Sequence, residues 1–499
     1  QNSAGSFNSF KNNLMFGSGL LNNHFTIDAR LSQITSDGYI DRANSNLKSY
    51  FISTTYWGDQ SSLRLNVFSG KERTYQAWYG VPQELLATNR TFNPAGTEKL
   101  DAPYDNQTDN YKQTHYQLFY NKSINNFWRW NTAVYLTTGK GYYEEYKAGV
   151  DFAEYNINVA GKTNLPADLV RRRWLDNQFY GQIAAISYQD KQNELTIGGA
   201  WSIYDGLHFG TLPYLPITLA PANYKYYDND ATKKEASTYV KWERKLNTQI
   251  RSFIDLQYRT VNHQMNGFTK NADLAIDRTF NFFNPKMGLS YQAKSILYFA
   301  SVAVANKEPI RDDFEASVTE QPKREQLIDW EAGLEYKKTK YVFNANVYFM
   351  DYKDQLVLTG KINDVGAYTR TNTPKSYRAG IELQLKYTYS KKVSTTYSVS
   401  LSQNKIKDFT EFVDDYDQYT QVAIQHKNAT IALSPSISTN RTFNWNPTDR
   451  LSFFWTTKYT SKQYLDNTQD ASRILDAYLL NDINAHWTVL NKPKFKMLL

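Results

Sequence analysis

The chain has 499 residues, of which 57 are Lys or Arg and 49 are Asp or Glu, giving a formal net charge of +8. No run of about 18 apolar residues occurs and the mean hydropathy is -0.63, so the sequence excludes membrane-spanning helices. Cys is absent, which excludes disulfide frameworks and cysteine-based metal or nucleophilic sites. The basic residues are scattered rather than clustered, so we expect no nucleic-acid partner.

Alternation of apolar and polar residues is the commonest pattern along the chain. Leu195, Ile197 and Trp201, for example, alternate with Glu194 and Thr196 and their successors. The same pattern recurs in the segments 254–259, 343–349, 381–387 and 397–402. It predicts antiparallel strands with one apolar and one polar face. Convincing amphipathic helical patterns are missing, so we predict an all-β chain.

Two kinds of connection take turns between these segments. Short polar turns are predicted, in chain order, near residues 22–23, 58–59, 125–126, 191–193, 247–248, 293–294, 339–340, 391–392 and 447–449. Longer loops are predicted at 73–109, 139–170, 206–233, 307–324 and 407–427. Tight turns on one side and long loops on the other are typical of transmembrane antiparallel β-barrels of the outer membrane.

This pattern predicts roughly nineteen strands, the first near residues 10–17 and the last near 473–490. Both of these strands run into short turns, and the chain begins without a signal-peptide pattern. We therefore expect residues 1–499 to be part of a barrel that lacks one strand at the start and several closing strands at the end. An isolated piece of this kind would leave two strand edges unpaired, so we expect it to be unstable by itself.

Aromatic residues make up 15% of the chain and cluster where strands meet short turns. Such clusters occur at 56–57, 127–130, 445 and 453–455. Tyr and Trp favour the interface between membrane and water, because one end of the side chain is apolar and the other forms hydrogen bonds. We interpret these clusters as aromatic girdles, with cross-strand pairing in a soluble sheet as the alternative.

Several motifs resemble the barrel strands of TonB-dependent receptors of the Bacteroidetes type, and their order along the chain is more specific than any one of them. They occupy residues 17–30, 36–42, 66–71, 75–78, 108–111, 115–119, 303–309, 325–333, 352–356 and 458–466. The resemblance implies a 22-stranded transmembrane barrel, incomplete here from about strand 2 to the start of strand 21. It also implies an N-terminal plug domain, which we expect to be absent from this chain together with the closing strands.

The same resemblance implies an integral protein of the Gram-negative outer membrane that imports a scarce nutrient with energy supplied through TonB. A ferric siderophore is the expected cargo, and a haem or cobalamin receptor of the same family is the alternative. TonB would bind through the missing N-terminal region. Outer-membrane lipid and lipopolysaccharide are the other expected partners.

Candidate ligand-binding residues are aromatic and basic side chains in the predicted loops. Rings provide contact area at small entropic cost, and guanidinium groups bind phosphates or anionic ligands. The candidates are Tyr75, Trp78, Tyr79, Tyr142, Tyr143, Tyr146, Arg171, Arg172, Arg173, His208, Phe209 and Tyr214. Chance clustering of tyrosines and an ordinary solvated charge run are the alternatives.

Catalytic and metal-binding patterns are missing from the sequence. Each of the six His is solitary, and neither an HExxH helix motif nor a GxSxG nucleophile motif occurs. We therefore expect no enzyme activity, no cofactor and no metal site. A passive porin-like channel and a soluble secreted β-protein remain open as alternatives from other functional classes.

Overall fold

The structure, a computed structural model, is nearly all β. It describes residues 1–157, 166–215, 224–268, 271–316, 321–362, 368–415, 420–492 and 495–498. The first twelve strands are β1 (Asn2–Gly5), β2 (Ser9–Gly17), β3 (Phe25–Ser36), β4 (Ser45–Trp57), β5 (Ser61–Tyr75), β6 (Thr108–Ser123), β7 (Trp128–Asp151), β8 (Pro166–Gln189), β9 (Asn193–Tyr214), β10 (Tyr224–Lys245), β11 (Ile250–Phe268) and β12 (Asn271–Ala293).

The remaining strands are β13 (Ile296–Lys307), β14 (Glu325–Lys337), β15 (Tyr341–Ile362), β16 (Tyr368–Ser390), β17 (Val393–Asp415), β18 (Thr420–Thr430), β19 (Ile437–Thr448), β20 (Leu451–Thr460), β21 (Gln463–Tyr464), β22 (Ile474–Leu475), β23 (Tyr478–Lys492) and β24 (Phe495–Leu498). One short helix, α1, spans Arg311–Ala316, and 3-10 turns occupy Gln83–Leu85 and Phe152–Tyr155. Within the described ranges, no helix is long and apolar enough to cross a membrane.

Twenty-two of these 24 described strands belong to a large antiparallel sheet, and β21 and β22 form a separate pair. Three members of the large sheet are minor. β1 and β24 have four residues each, and β18 pairs with the part of β17 that β19 does not reach. The alternation predicted roughly nineteen strands, and the large sheet has 22 among the described residues.

The chain divides into two compact units. The first contains Gln1–Gln189, Thr196–Tyr239 and Arg259–Asn281. In it, each strand from β1 to β7 pairs with the next strand in antiparallel register. A buried apolar cluster in it joins Phe152, Tyr155, Leu169 and Tyr226 near the ends of β7, β8 and β10.

The second unit contains Asp190–Leu195, Val240–Tyr258 and Phe282–Leu499. Antiparallel pairing runs from β12 to β17, and β17 then pairs with both β18 and β19 along different parts of its length. The segment 461–477 is held by Asn467, which is fully buried. Its side-chain nitrogen donates to the Leu358 carbonyl, and its side-chain oxygen accepts the Ala432 amide at 2.8 Å.

Each unit has an apolar face and a polar face, as the alternation predicts. On β5, Leu63 and Leu65 lie exposed on the apolar face. Arg64 lies between them on the polar face, where its Nε donates to the Thr55 hydroxyl at 3.1 Å. Because side chains alternate along a strand, one residue of shift would exchange the two faces.

The predicted short turns agree with the structure. Asn22, Asn23 and Lys294 adopt positive φ angles in short turns between strands. The aromatic clusters lie exposed beside such turns, as Trp57 and Trp445 illustrate.

Three predicted loops are largely strand instead. Residues 139–170, 206–233 and 407–427 were expected to be loops, yet β7 continues to Asp151 and β8 already begins at Pro166. β9 and β17 likewise continue beyond the predicted loop starts. Hairpin hydrogen bonding continues through these segments, but polar, aromatic and apolar residues are mixed on both faces, so the alternation signal disappears. The tips 158–165, 216–223 and 416–419 lie outside the described residues.

Glycines on the polar face allow tyrosine and phenylalanine rings to lie against the backbone of a neighbouring strand. A Cβ at Gly380 would lie 2.5 Å from the Tyr348 hydroxyl and 2.6 Å from the Leu401 carbonyl oxygen. Gly380 stands directly opposite Tyr348 in the ladder. Gly333 and Phe299 form an equivalent opposed pair. Only glycine leaves room for a ring in this position.

Candidate functional site

The end of the β7–β8 hairpin carries six of the twelve predicted ligand-binding residues. β7 and β8 have 24 residues each, whereas a membrane-crossing strand needs about 9–11. Residues from about 139 onwards therefore extend past the length that a membrane requires. The register places Glu144 opposite Arg172 and Glu145 opposite Arg171.

Glu144 is the centre of a buried polar network on one face of this hairpin. One carboxylate oxygen accepts the Tyr104 hydroxyl at 2.6 Å and the side-chain nitrogen of Asn106. The other oxygen accepts Nε of Arg172 at 2.6 Å. Burial, together with the hydrogen bond to Glu144, raises the pKa of Tyr104. The network fastens the segment 76–107 to the hairpin.

A second anchor of the same segment is Tyr75, the last residue of β5. Its ring is buried, and its hydroxyl donates to the carbonyl of Tyr104 at 2.7 Å. The Arg42 guanidinium lies 5.7 Å from the centre of the ring. Gly96, at φ +81°, leaves the space that the Tyr75 hydroxyl fills. Tyr75 therefore has a structural role in holding the segment.

A row of rings crosses three strands on the same face as Glu144. Tyr142 lies 4.5 Å from Trp174 between ring centres, and Trp174 stacks on Phe209 at 5.7 Å. Cations cover the row, with Arg172 4.4 Å from the Tyr142 ring and Lys225 4.5 Å from the Phe209 ring. Cation–π contacts of this kind stabilise rings and cations together.

The opposite face of the hairpin carries the other two arginines of the run. Arg171 pairs with the buried Glu145 at 2.7 Å, and its Nη1 donates to the Tyr155 hydroxyl at 3.3 Å. Arg173 lies 5.8 Å from the ring centre of Tyr143. The hydroxyl of Tyr143 is buried and has no hydrogen-bond partner within the described ranges. Successive residues of a strand face opposite sides, so the arginine run serves both faces.

Tyr146 closes the hairpin near its tip. Its hydroxyl donates to a carboxylate oxygen of Asp168, whose other oxygen accepts the Gly149 amide at 2.9 Å. The hydrogen bond to Asp168 raises the pKa of Tyr146 to about 12. The same bond, with that from Gly149, lowers the pKa of Asp168.

Three of the predicted rings remain exposed. Trp78 and Tyr79 stack at 3.8 Å between ring centres and are 38% and 42% exposed. Partial burial and the nearby Glu145 raise the pKa of Tyr79, which places its ring beside the hairpin. Tyr214, at the end of β9, is exposed as well. These rings are free to contact a ligand, whereas most of the other candidates are occupied by internal contacts.

Several candidates therefore lie in a different setting from the predicted one. Tyr142, Tyr143 and Tyr146 are on β7 rather than in a loop, and Arg171, Arg172 and Arg173 are on β8. His208, Phe209 and Tyr214 are on β9, where His208 is half-buried. Each of these strands is about twice as long as a membrane-crossing strand needs to be. The hydrogen-bonded ladder therefore continues through residues that were expected to lie in loops. Ligand binding by all twelve residues remains a prediction.

Sequence analysis missed the residues that organise the site, above all Glu144, Tyr104 and Trp174. A signal was present, because two consecutive glutamates precede three consecutive arginines in segments that pair with each other. Among the described residues, no cluster of three or more acidic or His side chains could hold a metal ion.

Comparison with known proteins places these features in a family context. A family model described as TonB dependent receptor-like, beta-barrel matches residues 55–496. No curated protein matches the sequence.

Solved structures share the fold at low sequence identity. The ferric citrate transporter FecA has a TM-score of 0.75 and 13% identity, over 98% of this chain and 69% of FecA. The siderophore receptor PiuA from Acinetobacter baumannii has a TM-score of 0.72 and 11% identity, over 98% of this chain and 74% of PiuA. The copper transporter OprC has a TM-score of 0.72 and 13% identity, over 98% of this chain and 71% of OprC.

Proposed function

Because the chain belongs to the family of TonB-dependent receptors, we propose that it forms the β-barrel of an outer-membrane receptor that actively imports a scarce nutrient. The match to the family model over residues 55–496 is the observation that carries this proposal. In this proposal the apolar faces of both units contact lipid, and the polar faces line the passage for the cargo. TonB supplies the energy for import.

The proposed cargo is a ferric siderophore. Two of the similar structures are a siderophore receptor and a ferric citrate transporter. The net charge of +8 attracts anionic metal complexes, and the stacked rings of Trp78 and Tyr79 offer a flat contact surface. A third similar structure is a copper transporter, which keeps other metal complexes among the candidates.

Nutrient uptake by cells that lack the gene tests the proposal. We expect a deletion strain carrying the complete receptor on a plasmid to take up a ferric catecholate or ferric citrate under iron limitation. We expect this uptake to stop when TonB is also deleted. Uptake that continues without TonB would refute active import and leave a passive porin-like channel. Uptake of haem or cobalamin in place of ferric siderophores would assign the alternative cargo.

Substitution of the exposed rings tests the site. We expect the double variant Trp78→Ala, Tyr79→Ala to weaken ferric-siderophore binding about tenfold, because it removes stacking worth about 1–1.5 kcal/mol. Tyr389→Ala is the matched control, since Tyr389 is an exposed tyrosine that packs on Tyr387 beside the short turn after β16. Equal affinity of wild type and double variant would remove these rings from the site.

A further inference from the structure

Arg441 is a cation on the apolar face of the second unit. On β19 it stands opposite Tyr397 of β17 and opposite Thr457 of β20. Three rings surround its guanidinium, with ring centres at 5.4 Å for Tyr397, 5.7 Å for Trp455 and 6.0 Å for Phe443. Tyr397 and Trp455 are themselves exposed members of the apolar face. The cation therefore lies in an aromatic cage on a surface that is otherwise apolar.

The cage does not satisfy the hydrogen-bonding groups of Arg441. Its Nε is buried without a hydrogen-bond partner in the part of the chain that the structure describes. Cation–π contacts replace part of the lost hydration but accept no N–H hydrogen bond. A charged group on a lipid-facing surface is costly and marks a functional site when it persists.

Neighbouring side chains extend Arg441 into a row of polar groups. Thr457 stands opposite Arg441 on one side and opposite Asn481 on the other. The Asn481 side-chain oxygen accepts Nε1 of Trp455 at 3.0 Å and the Thr457 hydroxyl at 2.8 Å. These contacts fix the orientation of the amide and leave its NH2 group as a donor. The row thus presents N–H donors and a positive charge without a carboxylate, which suits an anionic oxygen ligand.

We propose that the row formed by Arg441, Thr457 and Asn481 binds the phosphate group of a lipid in the outer leaflet of the membrane. This inference rests on the proposed function only in requiring that these strands cross the membrane. A planar guanidinium donates two parallel hydrogen bonds to phosphate, and the aromatic cage holds it in place.

The position of the row along the strands favours the outer leaflet. Asn481 is three residues from the start of β23 at Tyr478, and Thr457 is three residues from the end of β20 at Thr460. At about 3.4 Å per residue and a tilt of about 45°, the row lies about 7 Å below those strand ends. They lead into the segment 461–477, whose length is typical of the extracellular side. An extended arginine side chain covers a distance of this size toward the headgroups.

Lipid binding by the complete receptor tests the proposal. We expect native mass spectrometry of the receptor in neutral detergent to detect bound lipid A at several times the occupancy of dephosphorylated lipid A. Arg441→Gln should lose most of this preference. Asn481→Leu should lose it as well, and this second variant provides the test if Arg441→Gln does not fold. Arg450→Gln is the control, because Arg450 is an exposed arginine at the short turn after β19 and should leave binding unchanged.

Two results would overturn the proposal. One is equal occupancy by phosphorylated and dephosphorylated lipid in the wild type. The other is an unchanged preference for phosphorylated lipid in both row variants. The outcome is separable from import, because a receptor that binds lipid A as expected but takes up no ferric siderophore refutes the proposed cargo alone.

Discussion

Removing the Glu144 carboxylate should weaken the attachment of the segment 76–107 to the β7–β8 hairpin, which Lys147 and Glu98 also hold together at 2.6 Å. Glu144 is 2% exposed and accepts hydrogen bonds from Tyr104, Asn106 and Arg172. Breaking a buried ion pair by truncating one partner costs about 3–5 kcal/mol. The Arg172 side chain is 28% exposed and regains some water, so we expect the lower end for Glu144→Ala, about 3 kcal/mol.

Hydrogen exchange measures this loss directly. The Gln76 amide donates to the Gln107 carbonyl at 2.8 Å and reports whether the segment is attached. A loss of about 3 kcal/mol corresponds to exchange about 150-fold faster at this amide. Lys140→Ala is the control, because Lys140 pairs with Asp176 on the same hairpin but is 61% exposed, and exposed pairs contribute less than about 1 kcal/mol.

The reasoning would be refuted if Glu144→Ala and Lys140→Ala accelerated exchange equally. It would also be refuted if faster exchange appeared throughout β7 and β8 but not in the segment 76–107. The first result would mean that the network contributes no more than a surface pair. The second would mean that it stabilises the hairpin instead of the attached segment.

Three further predictions concern separate parts of the chain. Gly380→Ala should lower stability by about 1–3 kcal/mol through overpacking, measured as the urea midpoint in detergent, whereas Gly70→Ala meets no atom within 4 Å and should not. Asn467→Ala should cost about 2 kcal/mol by leaving a buried amide donor unpaired, measured as faster proteolysis of the segment 461–477. The contact of Tyr146 with Asp168 should stabilise the hairpin tip between the ordinary carboxyl and tyrosine pKa values. It should be lost as pH falls through the lowered pKa of Asp168 or rises through about 12. A difference absorbance titration of wild type against Tyr146→Phe should therefore show one tyrosine titrating near pH 12; titration near 10 would contradict this.

Much of the fold could be predicted from sequence because its two strongest determinants are local. Alternation of side chains fixes the two faces of each strand, and Asn or Lys at positive φ marks the turns. The extension of strands past the length that a membrane requires could not be predicted in this way. Between residues 139 and 151, both faces of β7 are polar or aromatic, so the periodicity that identified the strand elsewhere is absent.

The site was predicted only in part for a related reason. The structure brings several of the predicted tyrosines and arginines together on one hairpin, yet their partners come from distant segments. Tyr104 and Glu144 are 40 residues apart in sequence, and their contact depends on the path of the segment 76–107. No local pattern encodes that path. The sequence therefore does not distinguish candidates that stay exposed, such as Trp78, from candidates that are paired internally, such as Arg172.

The hairpin network has a mechanical consequence. From residue 139 to residue 151, β7 extends about 40 Å at about 3.4 Å per residue. Cross-strand ion pairs and the ring row stiffen this arm. Glu144 couples the segment 76–107 to it about 17 Å from residue 139, and Lys147 couples Glu98 of the same segment to it nearer the tip. A force applied at the tip is therefore shared by two attachments along the arm. We expect the arm and the segment to move as one body until the contacts of both Glu144 and Glu98 with their partners break.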